Sequence, residues 1–388
     1  MRVLLSDGSS LTSRQCATLL AGAGHQVGVL LPQPLALTRA TVAVRRWHRV
    51  PRYGPDPLGW AAAALAVLDA GGYDVILPTS EQVAVLSLLI DDVTRRGAAT
   101  AVPPYSALCR VQDKLAAEAL LTQLGLPRPR ATVAAAPEQL LCAALPAYLK
   151  APIGTASTGV RYATSTADLA AAVPAFTALG AFGLGGVLIQ QPVAGPLVMV
   201  QAVFDNGRLV AASASRRDRE GASGGASLKT TVPLGPITTD LERLGTALTW
   251  HGALSLDVID SPDGPVIVDI NPRLVEPGNA AAAGLDLVAT LLEVAGGLSP
   301  RRRPDPKPDV RTHQLLLALL AAAATAKPRR ALVFELARAA THSGPYRHSR
   351  EELTPLAGDP IAAVALVSAS CAAPVRPVHK RAPRSQWW

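Results

Sequence analysis

The chain opens with a short apolar run, Val3 to Leu5, broken at Asp7-Gly8-Ser9-Ser10. A helical spacing then runs from Leu11 to Ala21, and Val27 to Leu31 resume a strand. A helix near Ala61 to Leu68, a strand at Val75 to Leu77 and an apolar helix after Glu81 repeat the pattern. Such alternation predicts a parallel sheet covered by helices, with ligands beyond the carboxyl ends of the strands. Asp7-Gly8-Ser9 and Thr79-Ser80-Glu81 fall at those ends, where capping and turn formation explain them as readily as ligand contact. No complete G-x-G-x-x-G follows the first strand, so a classical dinucleotide site is not expected.

From Cys109 the character changes. Val111 to Leu124 read as one helix, Gly125-Leu126-Pro127 stop it, and strand and helix signals alternate to Gly296. The proline-rich basic run from Ser299 to Pro304 reads as a linker. Val310 to Trp388 then hold two apolar helices and a basic tail, Arg376 to Trp388. The expected division is 1–108, 109–298 and 299–388. The longest apolar stretch, Leu315 to Ala324, is too short to span a membrane, and MRVLLSDGSS is not a secretory signal. A cytoplasmic location is therefore expected.

Composition narrows the ligand class. With 49% hydrophobic and 17% charged residues the chain is globular, and 388 residues exceed one core. Lys plus Arg at 37 against Asp plus Glu at 29 leave a net charge of +8, which favours anionic small molecules but is too diffuse to announce nucleic acid. The four cysteines, Cys16, Cys109, Cys142 and Cys371, have no metal-ligand spacing, and three of them are expected in the core.

The sharpest chemical signal is a hairpin, Leu254 to Ile259 and Val266 to Asn271. If its loop spans Ser261 to Pro265, Asp257 stands opposite Asp269 with Asn271 next on that face. Carboxylate and amide oxygens suit a hard cation that completes its shell with phosphate. Lys150 ends a strand before a loop of small residues, Ala151 to Gly159, that includes Ser157 and Thr158; there backbone N–H groups can approach phosphate. Ser215 to Lys229 set three arginines and a lysine around a glycine-serine run, read as a mobile lid over an anion. His251, His342 and His348 read as packing or surface.

These pieces, in this order, resemble the ATP-grasp superfamily. Asp113-Lys114-Leu115 before Leu124 to Pro129 looks like the first nucleotide lysine and its following stretch. Lys150 with its loop looks like the second lysine and flexible lid, and Val187 to Val203 resemble the segment that meets adenine. Asp257, Asp269, Asn271, Pro272 and Arg273 resemble the metal acids and "E-x-N-P-R" signature, with Asp269 in place of the usual Glu. The resemblance covers about three quarters of the chain. It implies an α/β and α+β fold: an N-terminal parallel-sheet, Rossmann-like pre-ATP-grasp domain, a two-lobed ATP-grasp domain and a small C-terminal extension.

The resemblance also implies roles. Lys114, Lys150, Ser157, Thr158, Gly159, Gln190, Gln191 and Val193 would hold ATP, and Asp257, Asp269 and Asn271 one or two Mg²⁺. Arg273, Arg216 and Arg217 would be catalytic, at the carboxylate or acyl phosphate. Glu276, Asn279 and Lys229 would line the substrate side. The implied activity is an ADP-forming ligase joining a small carboxylate to an amine through an acyl phosphate. A degenerate, non-catalytic nucleotide-binding protein and a biotin-type carboxylase are the alternatives. Small-molecule partners are expected, with no nucleic acid and no membrane; homo-oligomerisation is left open.

Overall fold

The computed structural model describes residues 1–33, 36–154, 159–325 and 327–371, without side-chain detail for 328 and 368–371. The chain forms two compact units that interleave in sequence. The first takes residues 1–104, 199–255 and those from 273 on; the second takes 105–198 and 256–272. The contiguous division expected from sequence differs because the chain returns to the first unit twice, each time adding to its core.

In the first unit Arg2–Leu5, Gln26–Leu31, Val44–Arg49 and Val75–Leu77 form a parallel sheet with Arg2–Leu5 between Gln26–Leu31 and Val75–Leu77. Val44–Arg49 lies at the edge against Gln26–Leu31. It escaped the sequence reading because its Arg45, Arg46 and Arg49 face solvent and leave no apolar alternation. Helix Leu11–Gly22 starts where Ser10 Oγ accepts from Ser13 N at 3.1 Å. Val3, Leu5, Leu20, Val29 and Leu77 pack with Leu274, Leu287 and Leu291, so the later returns of the chain fill the same core.

The second sheet of this unit contains, in order, Leu197–Asp205, Arg208–Glu220, Ala226–Val232, Arg311–His313 and Ser349–Glu351. The segment read as a mobile lid is an antiparallel hairpin, from Ala214 opposite Val232 to Glu220 opposite Ala226, with register shifts between Arg217 and Arg219 and between Arg219 and Glu220. Arg217, Arg219, Ser227 and Lys229 all sit in its strands, which a turn at Ala222–Gly224 joins. Gly221 is required there, since a Cβ would meet Leu317 Cβ at 2.9 Å and Ser227 Cβ at 3.0 Å.

Residues 299–310 are no loose linker. Arg303 N donates to Val210 O, Lys307 N to Ala283 O and Asp309 N to Thr231 O, at 2.7–2.9 Å. They deliver Arg311–His313 to the sheet edge. Three helices follow where two were expected, Leu315–Ala323, Pro328–Ala340 and Ala362–Cys371, joined through Leu316, Leu319, Leu332 and Leu366. The tail 372–388, with Trp387 and Trp388, lies outside the described residues. No helix among the described residues is long and apolar enough to cross a membrane. The cysteine expectation is corrected: Cys16 is buried, which pushes its thiol up to about 12, whereas Cys109 and Cys142 are exposed.

The second unit carries an antiparallel sheet in the order Ala131–Ala134, Val187–Gln190, Ala147–Lys150, Val160–Ala163. Leu149, Ala163, Leu169 and Phe176 fill the space under helix Thr166–Ala178. The helix read from Val111 to Leu124 is two helices, Tyr105–Gln112 and Lys114–Gln123. Asp113 separates them in an extended conformation, its carboxylate accepting from Leu115 N at 2.7 Å and Ala116 N at 3.1 Å. Residues 256–271 of the hairpin also belong here. Its strands are Gly252–Ser261 and Gly264–Asn271, so the loop is only residues 262–263, shorter than expected, with Gly264 at φ +116°.

Candidate active site

The second unit gathers the strongest candidates. The break at Asp113 makes Lys114 the first helical residue, where its own N–H, unused by the helix, donates to Pro152 O at 2.9 Å. Its side chain reaches Asp269 on the hairpin, Nζ to Oδ1 at 2.6 Å. Lys150 ends its strand 5% exposed and donates from Nζ to Val268 O at 2.7 Å. An ammonium has three donors, so Val268 uses one.

Electrostatics tie these groups together. Burial pushes the Lys150 ammonium below its ordinary value; Asp269 opposes this, Lys114 adds to it, and Asp257 and Glu118 oppose it. For Asp269, burial pushes the carboxyl up, but attraction by Lys114 and Lys150 and the hydrogen bonds from Lys114 and the Ile270 N–H outweigh it, so it lies below the usual carboxylate range. Glu118 is pushed up by burial, against Arg128 and Lys150. Arg128 Nε stands 3.2 Å from Glu118 Oε1. Lys114, Lys150 and Arg128 are thus balanced by Asp257, Asp269 and Glu118.

That set bears on a divalent metal. Among the described residues no three His, Cys, Asp or Glu side chains converge as a metal-holding group. Asp269 and Asn271, two residues apart on strand Gly264–Asn271, share one face, and Asp257 lies on the other strand of the hairpin; oxygen donors of this type suit a hard cation that takes its remaining oxygens from phosphate and water.

The remaining nucleotide candidates divide. Ser157 and Thr158 lie outside the described residues. Gly159, at φ +82°, accepts from Ala151 N at 2.8 Å. Gln190 is buried in its strand, in register with Ala131 and Tyr148. Gln191 is exposed, and its N–H is already spent on Arg130 O at 2.9 Å, leaving its carbonyl for a ligand. Val193 is half-buried.

Other candidates belong to the first unit. Arg273 turns Nε and Nη2 onto Glu81 Oε1, each at 3.2 Å, while its carbonyl accepts from Ser255 Oγ at 2.7 Å. Arg216 pairs with Asp218 at 2.8 Å and is partly exposed; Arg217 is nearly buried and donates to Gly224 O at 2.7 Å. Lys229 is enclosed, with Glu276 Oε2 at 3.0 Å and Glu352 as a second partner. Burial pushes its ammonium down, but Glu352 and Glu276 outweigh this and hold it above its ordinary value. Gln314 donates to Glu276, whose backbone sits at φ +56°. Asn279 accepts from Thr231 Oγ1 at 2.9 Å and donates to Thr312 Oγ1 at 2.8 Å.

Sequence reasoning missed Glu118, Arg128, Glu352 and Gln314 and gave Glu81 no partner. Glu118 carried a signal, lying four residues after Lys114 on one helix face. Glu352 carried none, because 76 residues separate it from Glu276.

No family model matches the sequence, and no curated protein matches it. Solved structures do match. The biotin carboxylase domain of 2-oxoglutarate carboxylase from Hydrogenobacter thermophilus, a dimer complexed with MgADP, ADP and bicarbonate, is 16% identical with a TM-score of 0.62 over 80% of this chain and 73% of that one. The chain has the ATP-grasp fold. N5-carboxyaminoimidazole synthetase from Staphylococcus aureus, complexed with ADP, is 13% identical with a TM-score of 0.61 over 80% of each chain. L-amino acid ligase from Bacillus licheniformis is also 13% identical, with a TM-score of 0.61 over 78% of each. At such identities the ATP-grasp likeness concerns the fold.

Proposed function

We propose that the protein is an ATP-dependent, ADP-forming ligase that activates a carboxylate as an acyl phosphate and joins it to an amine. The observation that carries this reading is the convergence of Lys114, Lys150, Asp257 and Asp269 in one unit, with the charges balanced. The neighbours complexed with ADP or MgADP support it. Bound Mg-ATP supplies the phosphoryl group and the cation that shields it. Lys114 and Lys150 bind and orient the phosphates, and Asp257, Asp269 and Asn271 hold Mg²⁺. Because phosphoryl transfer rests on positioning and charge neutralisation, this set needs no covalent nucleophile. Gln190, Gln191 and Val193 are assigned to the adenine end, with the loop through Gly159 over the phosphates.

Arg273, Arg216 and Arg217 are assigned to the acid and its phosphorylated form, since a guanidinium fork suits oxyanions. Lys229, Glu276 and Asn279 are assigned to the acceptor side. The test incubates the protein with Mg-ATP, panels of carboxylates and hydroxylamine. ADP release with trapping of a hydroxamate is expected, and Lys150→Ala should weaken nucleotide binding. Stoichiometric AMP and pyrophosphate refute the mechanism, and nucleotide binding without acid-dependent turnover assigns the protein to a non-catalytic role.

A further inference from the structure

The C-terminal part of the first unit sorts its charges by burial. Lys327, Arg329, Arg330, Arg338, Arg347 and Arg350 are all exposed. The acids of the same stretch point inward: Glu335 meets Arg219 and Tyr346, Glu352 meets Lys229, and Asp359 meets Arg14. Glu351 accepts from the backbone N–H groups of Leu315, Leu353 and Thr354. The described surface of residues 327–371 is therefore cationic apart from its neutral groups.

Apolar side chains are interleaved with that charge. On helix Pro328–Ala340, Leu332 and Glu335 face inward. Arg330, Val333, Phe334, Ala337 and Arg338 recur at the three- and four-residue spacing of the outer face. Val333 is 66% and Phe334 49% exposed, with the Arg330 guanidinium 5.4 Å from the Phe334 ring centre. On helix Ala362–Cys371, Val364 and Val367 are 59% and 61% exposed. Both helices pack on Leu315–Ala323. The sequence after Cys371 continues this composition, with Arg376, Lys380, Arg381 and Arg384, no acid, and two tryptophans.

We infer that the outer face of helix Pro328–Ala340 binds an anionic lipid surface. A basic helix with an apolar stripe lies in the headgroup region, its arginines on lipid phosphates and its apolar side chains at the acyl boundary. Nucleic acid would satisfy the arginines but leave Val333, Phe334, Val364 and Val367 without a partner. A second copy docking through the same face would set like charges opposite one another. The expectation of no membrane partner rested on the lack of a spanning stretch, which a peripheral contact does not need.

Sedimentation of the full-length protein with phosphatidylcholine vesicles, with and without phosphatidylserine, tests the inference. Binding to the phosphatidylserine vesicles alone, released by high salt, is expected. Arg330→Glu with Arg338→Glu, both surface changes, should weaken it about tenfold or more. Val333→Ser with Phe334→Ser should weaken it while preserving the salt response. Equal sedimentation with both vesicle types, or with neither, overturns the inference. Retention of a labelled DNA duplex without vesicle binding assigns the face to nucleic acid instead. A concentration-dependent dimer that Phe334→Ser dissolves, without vesicle binding, assigns it to a second copy; both results overturn the lipid assignment.

Discussion

Asp269→Asn removes one charge from the Lys114–Lys150 cluster while keeping the side chain's size. The 2.6 Å contact to Lys114 joins groups only 13% and 28% exposed, so solvent screens it weakly. A hydrogen bond between charged groups contributes about 1.5–3 kcal/mol. The variant also removes the largest of the three carboxylates that compensate buried Lys150, leaving Asp257 and Glu118, which places the expected loss at about 2–3 kcal/mol. With a urea dependence of about 3 kcal/mol/M, the unfolding midpoint should fall by roughly 0.7–1 M.

The pH dependence of that loss identifies its origin. The Asp269 carboxyl lies lower in the folded protein than in the unfolded chain, where it titrates near about 3.9. Its stabilisation is therefore complete above the unfolded value and is lost as pH falls through the folded one. The parent and Asp269→Asn should differ at neutral pH, and the difference should start to shrink only as pH falls below the unfolded value of about 3.9 and vanish below the lower folded one. In parallel, Mg²⁺-dependent ADP formation should drop by about 10²-fold or more. Equal urea midpoints at neutral pH, or a difference that persists unchanged into acid, would show that the charge pair stabilises nothing. Equal turnover at matched Mg²⁺ removes Asp269 from the site.

Two further substitutions probe the supports of the site. Lys229→Met leaves Glu276 and Glu352 buried without their shared cation and should cost about 3–5 kcal/mol in urea unfolding. Adding Glu352→Leu should recover part of that loss, and strict additivity of the two changes would contradict the pairing. Asp113→Ala removes the cap of helix Lys114–Gln123 and should cost about 1 kcal/mol. Because Lys114 is the first residue of that helix, nucleotide affinity measured by calorimetry should fall as well; unchanged affinity would separate the cap from the site.

Where local pattern decided the structure, the sequence was readable. Arg2–Leu5, Leu11–Gly22 and Val75–Leu77 follow from apolar spacing and turn residues, and Lys150 at a strand end follows from the small residues after it. Ordered motifs disclosed the ATP-grasp fold because each motif keeps its own local signal. The hairpin between Ser215 and Lys229 was missed because its glycines were taken as freedom, whereas Gly221 is there for close packing against Leu317. The 299–310 crossing was misread because its hydrogen bonds to Val210, Ala283 and Thr231 come from remote segments. Asp113 was read as helix interior, although a carboxylate before two free N–H groups favours a cap.

The first unit is closed by its last-made parts. Ala226–Val232 has no partner on one edge until Arg311–His313 is available, and that strand in turn waits for Ser349–Glu351. Arg14, in the first helix, is neutralised by Asp359, 345 residues later. On a ribosome the early helix and the hairpin emerge long before these partners, with a bare strand edge and a buried-type arginine exposed to solvent. The second unit, by contrast, is complete once residue 272 has emerged. Synthesis therefore produces a finished second unit joined to an unfinished first one, and holdase chaperones should meet the first unit, not the second.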